Sequence, residues 1–504
     1  MIEPIVIDGR SLDVAAVHAV AEGAPVALAS SVAARMQSTN RIVSEIVAGG
    51  AVAYGITTGF GRMSDVAIAH DRLADLQVNL VRSHASGVGP LLPEREVRAM
   101  MLLRANVLAK GFSGSRPALA ELLVAMLNAR LHPPIPEQGS VGASGDLAPL
   151  AHLALALIGE GDLRCGARCA PAAVMLAEAG LAPLQLGPKE GITLINGTQA
   201  HTAIGALALH EARVLWRTAH IAGAATLDAL RGTPTAFDAR IHDARGQVGQ
   251  TASAALLRAL TRDSEIRESH RHGDPRVQDA YALRCMPQVH GPVFDAIEFA
   301  GDVIGRELNA ATDNPLVFDN GDVLSGGNFH GQAVGLVLDV LAIALTNLAT
   351  MSERRIDRLV NPELNEDLPA FLVRDAGLNS GFMMAQVTAA ALASECKVLA
   401  HPATVDTIPT DGNKEDVVPM SMGAAWKLRR VVDNVRHVLA IELMCAAQAL
   451  DYRAPLRSSP PIQRAHAAVR SVVPTLERDR VLSGDIQAIA AAVARGRFAA
   501  EEIQ

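Results

Sequence analysis

Residues 420–453, MSMGAAWKLRRVVDNVRHVLAIELMCAAQALDYR, run 34 positions without a proline. At 1.5 Å rise per residue, one helix of that length is about 50 Å long. Residues 333–350, AVGLVLDVLAIALTNLAT, are apolar nearly all round, which predicts a helix buried on every side. Val293, Ile297, Ala300, Ile304 and Leu308 recur at steps of four, three, four and four, the stripe of an amphipathic helix. The chain is rich in Ala, Leu and Val, which favours helix. The expected architecture is mainly α, with long apolar helices in a central bundle.

Working back towards the N-terminus, the pattern becomes mixed. Ile5-Val6-Ile7-Asp8-Gly9 reads as a strand, and Ser11 as the cap of a following helix. Residues 51–66 are rich in Gly and Thr and read as a loop. Ser115 is expected to cap a helix with Pro117 in its first turn, and Pro133-Pro134 to stop it. Leu316-Val317-Phe318 and Val323-Leu324 form a hairpin around Asn320-Gly321. Gly/Pro-rich breaks near 132–145 and 402–419 read as site loops. The expected organisation is a single unit over 1–504: a mixed N-terminal region 1–200, a central helical bundle 201–453 and C-terminal helices 454–504.

Composition narrows the function. The 504 residues are 49% hydrophobic and 19% charged, with 45 Lys+Arg against 53 Asp+Glu and a net charge of −8. An acidic chain lacks the basic surface that nucleic acid demands. With 3% aromatics, base-stacking platforms are not expected either. Five cysteines (Cys165, Cys169, Cys285, Cys396, Cys445) make neither a disulfide framework nor a zinc pattern, so a reducing cytoplasm is the simplest location. Met1-Ile2-Glu3-Pro4-Ile5 has no basic, apolar leader character. Gly377–Ser394 is uncharged for 18 residues but holds Asn379, Gln386 and several hydroxyls, so a buried helix is expected rather than a membrane span.

Chemistry concentrates in Gln138-Gly-Ser-Val-Gly-Ala-Ser-Gly-Asp-Leu-Ala-Pro-Leu150. The string lacks a phosphate-loop Gly-Lys-Ser/Thr ending and the second glycine of a hydrolase elbow. Its Ala143-Ser144-Gly145 can cyclise. The Gly145 nitrogen attacks the Ala143 carbonyl, and loss of water from the ring and from Ser144 leaves methylidene-imidazolone, an electrophile. Gly145 has no Cβ to obstruct the attack, and Ser144 supplies the leaving hydroxyl.

The string resembles the signature of the aromatic amino acid ammonia-lyases, closest to the histidine type. Further blocks in family order carry the resemblance from about residue 50 to 450: Tyr54–Gly61, Ser83–Gly89, Leu194–Gln199, Val277–Arg284, Ser325–His330 and Asn413–Asp416. It implies a long-helix bundle of the fumarase/aspartase-like type and a self-made methylidene-imidazolone, with no metal or nucleotide. It also implies a homotetramer with sites shared between subunits, an amino-acid substrate, and no membrane or nucleic-acid partner. By resemblance, Tyr54 and Tyr281 are the acid/base tyrosines and Arg284 binds the substrate carboxylate. Asn196 and Gln278 support electrophile and substrate, and Phe329 shapes the pocket. Ser83-His84 is the ring-selectivity pair, and Glu415 faces an imidazole. Tyr281 and Arg284, three apart, would share one face of a helical turn, and a planar guanidinium suits a carboxylate.

Three stretches depart from the histidine type. Thr57 stands where Asn is usual, Lys414 and Val417 where Gln and His are usual, and Gly331-Gln332-Ala333 where Ala-Glu-Pro is usual. A lysine beside Glu415 changes the charge of a ring pocket. Histidine elimination to a urocanate-type acrylate is expected. The alternatives are ergothionase-like loss of trimethylamine from thiol-histidine betaine, and lyase or aminomutase action on tyrosine or phenylalanine. A helical scaffold would have no use for the triad, both tyrosines and Arg284 together.

Overall fold

The computed structural model of the chain describes residues 3–499. Met1 and Ile2 of the leader reading, and residues 500–504 of the C-terminal helical region, lie outside the described residues. Among the described residues there are 19 α-helices and four two-stranded sheets, so the chain is mainly α. It divides into two compact units that interleave in sequence. The first runs from the N-terminus to His210 and takes in 300–339 and 402–426. The second holds 211–299, 340–401 and the chain from 427 onward.

The first unit carries the β structure. Ile5–Ile7 pairs in parallel with Val26–Leu28, with helix Val14–Ala21 as the crossover. That helix is capped by Asp13, whose carboxylate accepts from the Ala16 N–H at 2.7 Å. Ser11, the expected cap, instead donates to Asp8. The helix Pro117–Asn128 has Pro117 at its start, but no side chain caps it. Ser115 is therefore not its cap. Nor do Pro133-Pro134 stop it, because Arg130 already turns left-handed at φ 56°. The hairpin forms as expected, with Leu316 opposite Leu324 and Val317 opposite Val323.

The long helices span Gln199–Ala229, Met286–Glu307, Gln332–Val360 and Ser421–Asp451. Met420 sits at φ 52°, so the last of these starts one residue later than its apolar pattern. Every member of the Val293–Leu308 stripe is at most 2% exposed. In the second unit, the fully buried Glu442 ties three helices together. It accepts from Thr226 at 2.9 Å, from Ser352 at 2.5 Å and from Arg355 at 2.5 and 2.9 Å. Removing one partner of such a buried pair leaves an uncompensated charge and is strongly destabilising.

Two burial expectations need correction. Ala333, Leu336, Ile343, Asn347 and Thr350 form an exposed stripe on Gln332–Val360, so that helix is not covered on every side. It is long and apolar enough to cross a membrane, and 67% of its most apolar window is buried in the protein, as in a core helix. Within Gly377–Ser394 the helix starts only at Met383. It buries Ala385, Ala389 and Ala393 along one face, while Met384 and Val387 stay exposed. Small alanines let that face pack closely.

Candidate active site

A cavity of about 930 Å³ in the first unit collects the two Gly/Pro-rich breaks and most of the expected residues. Its wall includes Tyr54, Ser83, His84, Ala143, Ser144, Asn196, Phe329, Lys414 and Glu415. Gly145 lies buried directly behind the wall.

The triad is fixed by its glycines. Gly142 and Gly145 both sit at φ 75°, the left-handed region. A Cβ on Gly145 would fall 2.1 Å from the Gly197 carbonyl oxygen, and one on Gly142 would fall 1.9 Å from Ser421 Oγ. No larger residue fits either place. The Asp146 N–H donates to the Gly197 carbonyl at 2.7 Å, and the Gly331 N–H donates to the Gly142 carbonyl at 3.0 Å.

Asp146 directly follows the triad in the chain. It is fully buried and accepts from Ser140 Oγ at 2.8 Å and from the N–H groups of Ala200 and His201 at 2.9 Å. The His201 ring adds a contact at 3.0 Å. The carboxylate thus clamps the loop to the first turn of helix Gln199–Ala229, where an anion is favoured. Burial opposes its charge, but the His201 ring and these hydrogen bonds prevail and hold its pKa below the ordinary value.

Asn196 is placed by Arg104, a fully buried guanidinium that donates to the carbonyls of Thr193 at 2.8 Å and Asn196 at 2.9 Å. Burial brings Arg104 down to about 10, with Asp313 and Asp146 opposing, so it stays charged at neutral pH. The Asn196 amide donates to the Ser144 carbonyl at 2.7 Å. Its Oδ1 is buried without a hydrogen-bond partner.

Across the cavity, Glu415 Oε1 accepts from Ser144 Oγ at 2.5 Å, and Oε2 accepts from the Thr410 hydroxyl. Tyr54 is half-buried, and its pKa is raised by burial and by the carboxylates of Asp411 and Glu415. Its hydroxyl therefore holds its proton at neutral pH. Asp411 secures the loop below by accepting from the Arg62 N–H at 3.1 Å. A Cβ on Gly61 would collide with that carboxylate at 2.0 Å.

Ser83 and His84 end the helix Leu73–His84. His84 Nδ1 lies 2.8 Å from the Leu80 carbonyl. Only a protonated Nδ1 can donate there, so in the neutral ring Nε2 is the acceptor. Lys414 is exposed and is one of the residues that line the cavity. Thr57 turns into its own loop, donating to the Ala51 carbonyl at 2.9 Å.

Three expected residues are not brought here. Gln278, Tyr281 and Arg284 belong to the second unit and do not line this cavity. Tyr281 is 70% exposed. The helical turn Tyr281–Arg284 does put the pair on one face, with the guanidinium 4.6 Å from the ring centroid. Among the described residues, no group of three His, Cys, Asp or Glu is arranged to hold a metal ion.

Asp411 and His201 carry no sequence signal because their partners are remote in the chain, whereas Thr410 is only five positions from Glu415 and is paired with it by a turn that no motif marks.

Comparison with known proteins follows the same line. The model of the family described as aromatic amino acid lyase matches residues 12–471. A histidine ammonia-lyase from Koribacter versatilis is 54% identical over 492 residues, covering 95% of each chain. The crystal structure of histidine ammonia-lyase from Trypanosoma cruzi superimposes with a TM-score of 0.92 at 42% identity, covering 99% of this chain and 96% of the other. The tyrosine aminomutase of Streptomyces globisporus superimposes with a TM-score of 0.93 at 41% identity and 98% coverage of both. On this match over nearly its whole length, the chain belongs to the aromatic amino acid lyase family.

Proposed function

We propose that this carbon–nitrogen lyase acts on histidine, removing the α-amine and a β-proton to leave urocanate. The observation that carries the reading is the contact between Glu415 and Ser144. A carboxylate able to accept an imidazole N–H sits 2.5 Å from the serine of the ring-forming triad. His84 offers a second nitrogen acceptor on the same wall.

The triad suits a methylidene-imidazolone closed on Ala143, Ser144 and Gly145. Left-handed glycines at 142 and 145 bend the backbone tightly. The Asn196 amide N–H donates to the Ser144 carbonyl, and its buried, unpartnered Oδ1 can accept a hydrogen bond from a further donor. When formed, the group would supply an electrophilic carbon that makes the substrate nitrogen a better leaving group. Asn196 and the clamp made by Asp146 would hold it. Tyr54, kept protonated by burial and by two carboxylates, would manage a proton at its hydroxyl. Phe329 would close the cavity around the ring.

Gln278, Tyr281 and Arg284 fit a shared site in which another copy of the chain delivers them to this cavity. A homotetramer provides that arrangement, and a cytoplasmic location suits it.

The test is a substrate panel of histidine, phenylalanine, tyrosine and thiol-histidine betaine, followed by ultraviolet absorbance of the conjugated acid. Histidine should turn over fastest, and the intact protein should weigh two waters less than its sequence. Fastest turnover of phenylalanine or tyrosine would overturn the ring reading. An unmodified mass in active protein would overturn the electrophile.

A further inference from the structure

We propose that Thr410 is the positioning residue that aims Glu415 at the substrate ring, an inference that rests on the histidine reading above. Thr410 and Glu415 close a tight turn in which Asp411, Gly412 and Asn413 take φ of 47°, 58° and 67°. Three successive left-handed residues, two of them not glycine, form a costly backbone that persists only when its surroundings hold it. The closure comes from Thr410. Its N–H donates to the Glu415 carbonyl at 2.9 Å, and its own carbonyl accepts from the Asn413 N–H at 3.0 Å.

The side chains repeat the pairing. The Thr410 hydroxyl donates to Glu415 Oε2, while Oε1 turns to the cavity and meets Ser144 Oγ at 2.5 Å. A glutamate has three side-chain torsions and many rotamers to lose. With Oε2 engaged behind the wall, Oε1 is the oxygen presented to a ligand. The proposed dehydration of Ser144 removes one of the two hydroxyls that hold this carboxylate. Thr410 then remains as its side-chain anchor while the substrate N–H takes the vacated lone pair. Thr410 is not part of the cavity wall, so it acts through Glu415 rather than on substrate.

The experiment compares Thr410→Val, Thr410→Ala and Thr410→Ser, each alone and with Glu415→Gln, by steady-state kinetics on histidine and by intact mass. A hydrogen bond to a charged group is worth enough that Val and Ala should each lower kcat/KM by roughly 10- to 100-fold. Ser should stay within about threefold of wild type, since it keeps the hydroxyl. On the Glu415→Gln background the Val and Ala changes should add little, because residues acting through one another are not additive. Wild-type kcat/KM in both Val and Ala variants would overturn the proposal. So would losses that add in full to that of Glu415→Gln, or a Ser variant as poor as Ala. If Val does not fold, the smaller Ala and the Ser rescue still decide the matter. A wild-type protein inactive on histidine would instead sink the substrate reading.

Discussion

Tyr54 shows how one residue's role depends on its surroundings. It lies in the Gly/Thr-rich stretch 51–66, and the family resemblance implies an acid/base role for it. Burial, with Asp411 and Glu415 nearby, raises its pKa above 10.0, so the resting hydroxyl stores a proton. Tyr54→Phe removes that hydroxyl with little change in volume. Activity on histidine should fall by about 10²- to 10⁴-fold, the usual contribution of a general acid–base group, with the two-water deficit relative to the variant's own sequence retained. A loss below about threefold would remove Tyr54 from the chemistry. Lys414 is the other residue whose surroundings matter, because it lines the cavity beside Glu415. Lys414→Gln restores the usual histidine-type motif and removes a positive charge from the wall. Histidine turnover should rise or hold, while any turnover of thiol-histidine betaine, whose ring carries an ionisable sulfur, should drop. Equal rates on both substrates before and after the change would mean that Lys414 plays no part in selection.

At the scale of elements, helical periodicity was the most readable feature. Spacing alone puts Val293, Ile297, Ala300, Ile304 and Leu308 on one stripe, and all are buried. Spacing suffices there because 3.6 residues per turn brings these positions to one side. Ile297 is 2% exposed, so Ile297→Ala should leave a cavity costing about 2–5 kcal/mol in a urea unfolding measurement. A cost under about 1 kcal/mol would mean that the site collapses around the gap. Helix ends were read less well. Ser11 and Ser115 are reasonable caps by residue type, yet Asp13 takes one helix and Pro117 starts the other without a side-chain cap. Cap choice turns on which residue adopts the extended backbone next to the first turn, and neighbouring candidates compete closely for it.

For the whole molecule, acid sensitivity and assembly follow from what is covered. His132 is brought down to about 4 by burial and by Arg98 and Arg130. His220 is brought down to about 4 by burial, with Arg355 adding and a hydrogen bond to Trp216 opposing. Unfolded histidines take up protons near 6.5, whereas these resist until about 4. Between those values the unfolded chain binds more protons, so stability falls as pH drops through that window. The urea midpoint should therefore decrease from pH 7.5 to pH 5, and an increase would contradict the burial of these rings. On the helix Met383–Leu399, Met384 is 63%, Val387 47% and Val398 66% exposed. An apolar face of this kind marks an interaction surface. Val387→Glu should place an unpaired charge there and shift the proposed tetramer to smaller species in sedimentation velocity. An unchanged sedimentation coefficient would locate the interface elsewhere.

The chemistry of the triad was legible in the chain because it needs only consecutive atoms: a small acyl residue, a hydroxyl to lose and a glycine nitrogen. Tyr54, Ser83, His84, Asn196, Phe329 and Glu415 were legible through the blocks around them, and one cavity gathers them. What could not be read were the contacts that span the sequence. Glu415 meets Ser144 across 271 positions, and His201 meets Asp146 across 55. Thr410 lies in the break 402–419 that reads as a site loop, but its importance comes from a left-handed turn that folds it back on Glu415. The exposed stripes on Gln332–Val360 and Met383–Leu399 were unreadable for a related reason. Periodicity reports which residues share a face, but whether that face is covered depends on what packs against it, and that is a property of the assembled fold.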